Sequence, residues 1–149
     1  MNKKILIFTA TYNESENIKN FLNSILDLKI ELDILVIDDN SPDNTWKIIE
    51  DYSVINKNII LLKRKNKEGL DTAHKYAFNF AKKNKYDYLI TMDADLSHDP
   101  KIIPTFINYL EDYPFVIGSR YIANGKNETK FFRFLLSYMG NKFIKFILN

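Results

Sequence analysis

Apolar residues recur along this chain in two different rhythms. Lys4-Ile-Leu-Ile-Phe-Thr9, Leu32-Asp-Ile-Leu-Val-Ile37, Ile59 to Leu62 and Tyr88 to Met92 are short, nearly continuous runs. Runs of this length and continuity predict strands covered on both faces. Phe115-Val-Ile-Gly-Ser119 predicts a fifth strand of the same kind. Between the runs the apolar positions fall three and four apart, which is helical spacing. Ile18, Phe21, Leu22, Ile25, Leu26 and Leu28 make one such stripe, with Asn13 and Glu16 set as a capping box ahead of it. Trp46, Ile48, Ile49, Tyr52 and Ile55 make the next, with Ser41 as N-cap and Pro42 at the first helical position. A third helix is predicted over 72–83, with Ala73, Tyr76, Ala77, Phe80 and Ala81 inward. Asp99-Pro100 opens a fourth that runs through Leu110.

Strand and helix alternating at this interval predict right-handed βαβ units and a mostly parallel α/β sheet flanked by helices. Ligands of open sheets of this type bind beyond the carboxyl ends of the strands. Glu14, Asp38, Asp39, Asp93, Asp95, Ser119 and Arg120 all follow directly on predicted strands. They are expected to meet on one edge.

Composition changes this picture little. The 149 residues are one domain's worth, and 46% hydrophobic with 27% charged is ordinary for a globular fold. With no cysteine, the chain has no disulfide, cysteine–zinc site or thiol nucleophile, which fits a reducing compartment. The formal net charge of +2 gives no ground for nucleic-acid binding. The run Ile5 to Phe8 is too short for the apolar core of a signal peptide, and no stretch approaches the length of a spanning helix. The distribution of charge says more than the total. From Arg120 onward, Lys126, Lys130, Arg133, Lys142 and Lys145 stand against the single acid Glu128. Phenylalanine, leucine and isoleucine fill the spaces from Phe131 to Leu148. That pattern suits an interfacial helix on an anionic membrane or a partner, although a core helix reads similarly.

Four groups could carry chemistry. Asp93-Ala-Asp95 could hold Mg²⁺ or Mn²⁺ and leave positions open for diphosphate oxygens; a solvated loop is the plain alternative. Asp38-Asp39 could accept from a base or ribose, or one of them could cap the next helix. Lys63 to Lys67 could attract a nucleotide diphosphate, or be a solvated face, with Gly69 allowing an unusual backbone angle beyond it. Arg120 could grip a phosphate bidentately. His74 and His98 lack a partner at metal-ligand spacing and are expected in supporting or surface roles.

Taken in order, Ala10-Thr-Tyr-Asn-Glu-Ser-Glu-Asn-Ile18, Ile37-Asp-Asp-Asn-Ser-Pro-Asp43, Lys67-Glu-Gly-Leu70, Met92-Asp-Ala-Asp-Leu-Ser-His98 and Gly118-Ser-Arg-Tyr121 resemble a known family. They are similar to the family 2 glycosyltransferases of GT-A fold, and within them to dolichol-phosphate (polyprenyl-phosphate) mannosyltransferases. The resemblance implies transfer of a mannosyl unit from GDP-mannose to a polyprenyl phosphate, with inversion, at the cytoplasmic face of a membrane. It implies that Ala10, Tyr12 and Glu14 line the nucleotide, with Ile37 and Asp39 near base and ribose and Lys67 and Ala94 also in the donor site. Asp93 and Asp95 would bind the metal and, with Arg120, serve the chemistry; Arg120, Arg133 and Ser137 would hold the acceptor or donor phosphates. Residues 1–125 would then form the nucleotide-sugar domain and 126–149 the membrane or partner contact.

Three departures accompany the resemblance. Ala10 stands where the family usually has proline, and Asp71 and Ala77 where it usually has glycine. Family members also continue beyond the equivalent of Asn149, so a minimal, truncated or split enzyme is expected, with a second subunit or copy as the partner that would complete it. Other readings keep the fold and change the role: UDP-glucose or another donor, or a non-catalytic nucleotide-binding subunit. Ile34-Leu-Val-Ile-Asp38-Asp39-Asn40 also allows a signalling receiver domain, but a complete strand–helix unit precedes it.

Overall fold

The structure, a computed structural model, describes residues 3–119, 138–140, 142–144 and 147. The chain divides into two compact units, Met1–Pro114 and Phe115–Asn149. The division expected at 125 and 126 lies outside the described residues.

In the first unit four strands, β1 (Ile5–Thr11), β2 (Asp33–Asp38), β3 (Ile59–Lys63) and β4 (Tyr88–Thr91), form one parallel sheet in the order β3-β2-β1-β4. Four helices connect or follow them: α1 (Ile18–Leu26), α2 (Thr45–Ile55), α3 (Leu70–Lys83) and α4 (Ile103–Asp112), the last entered through a 3₁₀ turn at Pro100–Ile102. The two central strands, β1 and β2, are buried along nearly their whole length because both faces are covered, and their buried polar residues gather toward the carboxyl ends. One face packs Ile5, Ile7, Ile34, Val36 and Ile90 against Phe21, Leu22, Ile49 and Ile103. The other packs Leu6, Phe8, Leu35 and Ile37 against Ala73, Ala77 and Ala81 of α3. Those alanines, four apart, form one stripe and let α3 lie close to the sheet. Ala77 is fully buried in that stripe, so the side chain at this departure from the family pattern is a packing contact.

The close approach of α3 also corrects one expectation. Tyr76 does not point inward; it lies at the flank, stacked on Phe80, which in turn stacks on Tyr86. Ile55 is likewise exposed, because six residues beyond the buried Ile49 the helix has turned it off the sheet. Neither predicted cap forms. Asn13 takes a left-handed backbone, φ 61°, and α1 begins only at Ile18. Asn44, also left-handed, is the N-cap of α2, while Ser41 turns back to Asp38. Gly69 does need its freedom: its φ is 89°, and a Cβ there would sit 3.2 Å from Asp71 Oδ1.

Phe115 to Ser119 is not a strand. It makes no ladder with any described strand, and Phe115 and Ile117 are exposed. A run of three apolar residues becomes a strand only where an edge pairs with it. Ser119 therefore follows no strand, contrary to expectation. In the second unit, residues 138–140, 142–144 and 147 are helical, and Tyr138, Met139, Phe143, Ile144 and Ile147 are exposed. This agrees with a helical tail as far as those residues go. Among the described residues no helix is long and apolar enough to cross a membrane.

Candidate functional site

The carboxyl edge of the sheet is built from side chains of one loop bonding to amides of the next. After β1 the chain turns through Tyr12, Asn13 and Glu14. The amides of Asn13, Glu14 and Ser15 donate to Ser41 Oγ (3.1 Å), Thr45 Oγ1 (2.9 Å) and Asp43 Oδ2 (3.0 Å). The loop after β2 thus caps the loop after β1, which is why no local capping box was needed. Burial pulls the Asp43 carboxyl upward. The hydrogen bonds from Thr45 Oγ1, Ser15 N and Thr45 N outweigh it and hold the pKa at about 2.

Asp38 and Asp39 divide sharply from one another. Asp38 is fully buried and accepts from Thr11 Oγ1 (2.8 Å), Ser41 N (2.8 Å) and Ser41 Oγ (2.6 Å). It fastens the ends of β1 and β2 to the loop before α2. Asp39, 7% exposed, pairs with the Arg64 guanidinium and accepts from the amides of Glu68 and Gly69 (3.2 Å each). Arg64 goes on to donate to Thr72 Oγ1 (2.6 Å) and the Gly69 carbonyl (3.1 Å). In the sequence Arg64 stands inside a basic run. The signal that sets it apart is its place directly after β3, one residue beyond the sheet and level with Asp38–Asp39, while its lysine neighbours at 63, 65 and 67 lie exposed.

Lys67 and Tyr12, both expected at the nucleotide, come together: the ammonium lies 3.7 Å from the ring centroid. Glu14 stays partly exposed beside them and accepts from Asn17. Ile37 and Ala94 are buried in opposite faces of the core, so only their backbone atoms can reach a ligand. Ala10 is half-buried and lines a small cavity described below. Asp71 is exposed on the first turn of α3, 3.9 Å from Lys75.

Burial alternates past the end of β4, although Ala94 and Asp95 already stand in a turn. Met92 and Ala94 are buried, and Asp93 and Asp95 are exposed between them. The two-residue spacing therefore places both carboxylates outward. The Asp93 N–H donates to His98 Nδ1 (3.2 Å), and His98 Nε2 lies 3.9 Å from Asp93 Oδ2. Ser97 N donates to Asp95 Oδ1 (2.9 Å). Hydrogen bonds from the Ser97 backbone and hydroxyl keep the Asp95 carboxyl below the usual range; partial burial opposes them and the His98 charge assists. Leu96, between these partners, has φ 61°, a backbone that a leucine rarely adopts. Asp99 caps the following 3₁₀ turn through Lys101 N (3.0 Å). Beside Asp93 lies a cavity of about 150 Å³, walled by Phe8, Ala10, His74, Thr91 and His98 among others.

Asp93 and Asp95 are hard oxygen donors with outward lone pairs, suited to Mg²⁺ or Mn²⁺ with further positions left to water or phosphate. No cluster of three acidic or histidine side chains forms a closed metal cage among the described residues. Arg120, Arg133 and Ser137 lie outside the described residues.

The profile described as "Glycosyl transferase family 2" matches residues 6–148. The chain belongs to this family. It is 35% identical over 123 residues to the undecaprenyl-phosphate mannosyltransferase of Micrococcus luteus, covering 83% of this chain and 51% of that protein. It is 34% identical over 138 residues to the dolichol-phosphate mannosyltransferase of Pyrococcus furiosus, covering 90% and 38%. The chain thus spans about half or less of the length of these family 2 relatives. Among solved structures it is similar to the mannosyltransferase PcManGT from Pyrobaculum calidifontis, determined in complex with GDP-Man and Mn²⁺. The TM-score there is 0.57 at 21% identity, over 64% of this chain and 28% of that one. This last likeness carries the GT-A-like fold.

Proposed function

We propose that this chain forms the donor site of a metal-assisted, inverting glycosyltransferase that moves a mannosyl unit from GDP-mannose to a polyprenyl phosphate. The observation that carries the reading is the outward pair Asp93 and Asp95, set at the carboxyl edge shared with Tyr12, Glu14 and Lys67. The names of the two family relatives supply the acceptor class and the sugar, and the ligands named for the Pyrobaculum protein supply the donor and metal.

Mg²⁺ or Mn²⁺ held by Asp93 and Asp95 would stabilise the departing diphosphate. The Lys67 ammonium, fixed over Tyr12, adds positive charge near the nucleotide. Asp39, closed in by Arg64 and the 68–69 amides, sets the loop that carries Lys67. Arg120, Arg133 and Ser137 are assigned to the phosphates of acceptor and donor. A lipid phosphate is already anionic at neutral pH, so the attacking oxygen needs no strong general base. The absence of a cysteine and of a histidine at base-like spacing is consistent with that. The lipid acceptor places the reaction at a membrane surface, where the Phe- and Lys-rich tail would rest, on the cytoplasmic side.

Thermal unfolding with GDP or UDP, each with and without Mn²⁺, tests the donor assignment. GDP with Mn²⁺ is expected to raise Tm most; no shift with either nucleotide overturns the reading. Mannosyl transfer to a polyprenyl phosphate, abolished by Asp95→Ala, tests the rest.

A further inference from the structure

The cavity beside Asp93 has polar walls that the scheme above does not use, His74 among them. His74 stands on the fifth residue of α3, edge to face with Phe8, ring centroids 5.1 Å apart and planes at 76°. Among the described residues it makes no hydrogen bond. A neutral imidazole carries one donor and one acceptor nitrogen. The ring is therefore held by packing while its hydrogen-bonding capacity stays uncommitted. A side chain fixed in this way loses little freedom when it meets a ligand.

The size of the cavity limits what it can take. At about 150 Å³ it matches the volume that accommodates a single benzene ring in a protein interior. A whole nucleotide sugar needs several times that space. The walls are of two kinds: Phe8 and Leu70 offer apolar surface, whereas His74, Thr91, Asp93 and His98 offer polar atoms. A sugar ring presents both, C–H groups on its faces and hydroxyls around its rim. We propose that this cavity receives one hydroxyl-bearing ring of the nucleotide sugar, ribose or hexose, and that His74 hydrogen-bonds one of its hydroxyls. The inference rests on the nucleotide-sugar reading and adds a binding residue that none of the family-like motifs contains. His74 is a binding group here, not a proton carrier.

Calorimetric titration of the full chain with Mn²⁺ present, using GDP, GDP-mannose and 2′,3′-dideoxy-GDP, tests it. His74→Phe keeps an aromatic ring against Phe8 and removes both nitrogens; His74→Gln restores a donor and an acceptor. If the ring is ribose, His74→Phe weakens GDP and GDP-mannose about five- to tenfold and leaves the dideoxy nucleotide unchanged. If it is the hexose, only GDP-mannose weakens by that factor. In both cases His74→Gln recovers most of the loss, with unfolding temperatures that stay near wild type. The inference is overturned if His74→Phe binds all three as wild type does, if the dideoxy nucleotide weakens along with the others, or if His74→Gln binds no better than His74→Phe. Wild-type chain that binds none of the three overturns the nucleotide-sugar reading itself, and this inference with it.

Discussion

The two acidic pairs at the sheet edge look alike in sequence and do opposite work. Asp38-Asp39 straddles the end of β2 and turns inward. Each carboxylate is buried and supplied with partners, hydroxyls and an amide for Asp38, a guanidinium and two amides for Asp39. Asp93-Ala-Asp95 follows β4 and stays outward, because the residue between the acids is the one that enters the core. The turn at Ala94 and Asp95 buries the alanine and leaves an acid exposed on either side of it. The inserted alanine is what frees the second pair for a cation. The cost of burying the first pair is met by local partners, the Arg64 cation among them.

Breaking the inward pair should give the largest effect on stability. Arg64→Leu leaves Asp39 buried without its cation and also strips a donor from Thr72 and from the Gly69 carbonyl. Removing one partner of a buried pair costs about 3–5 kcal/mol. Urea unfolding should show a loss of that size; a loss below about 1 kcal/mol would mean that Asp39 is solvated in solution. The outward pair should respond in the opposite manner. Asp93→Asn should change stability by less than about 0.5 kcal/mol, as exposed positions do, and Asp95→Asn should cost far less than the Arg64 change, since Asn keeps an acceptor for Ser97 N. Their mannosyl transfer should fall by about 10²–10³, the scale of losing preorganised charge stabilisation at a departing group. A variant that unfolds as readily as it loses activity would erase the distinction between the pairs.

How far this contrast was legible in the sequence depends on which forces act locally. Parallel strands with both faces covered, and the alternation that builds them, are written into Ile5–Phe8 and Ile34–Ile37 directly. So were the place of Asp93 and Asp95 and the special backbone of Gly69. What was not legible depended on neighbours distant in sequence. Asn13 and Glu16 have the spacing of a capping box, yet the amides there are taken by Ser41, Thr45 and Asp43, some thirty residues away. Arg64 looked like one more basic residue until β3 placed it level with Asp39. Phe115 to Ile117 has strand composition, but composition supplies no edge to pair with. The alanine stripe of α3 was read correctly as inward, and its consequence for Tyr76 was missed because it depends on how close the helix lies.

Acid should probe the loop that carries the inward pair. Asp43 belongs to the same tightly bonded loop as Asp38 and Asp39, with its pKa lowered from 3.8 to about 2. A depressed carboxyl stabilises the fold fully above its unfolded value. That contribution then fades as pH falls through 3.8 toward 2. For a partly exposed group the amount is about 1 kcal/mol after solvent screening. Asp43→Asn should therefore lower stability by about that amount at pH 7 and flatten the decline between pH 4 and 2 in denaturant titrations.

The smallest effect tests the principle from the other side. If inward polar groups on this sheet are tolerated because they are partnered, one without a partner should be a liability. Thr9 is fully buried on β1, in register with Val36, and its hydroxyl has no hydrogen-bond partner among the described residues. By strand alternation it shares the face of Ile5 and Ile7. Its neighbour two residues on, Thr11, meets the same burial by donating to Asp38. Thr9→Val replaces the orphaned hydroxyl by a methyl of nearly equal size and keeps the β-branch that the strand favours. Removing an unmatched buried hydroxyl should raise stability by about 0.5–1 kcal/mol. That gain corresponds to a Tm higher by about 1–4 °C for a chain of this length. Thr11→Val, in contrast, should destabilise, since it takes a donor from a buried carboxylate. Equal responses at the two threonines would show that partnering is not what separates the inward polar groups of this sheet.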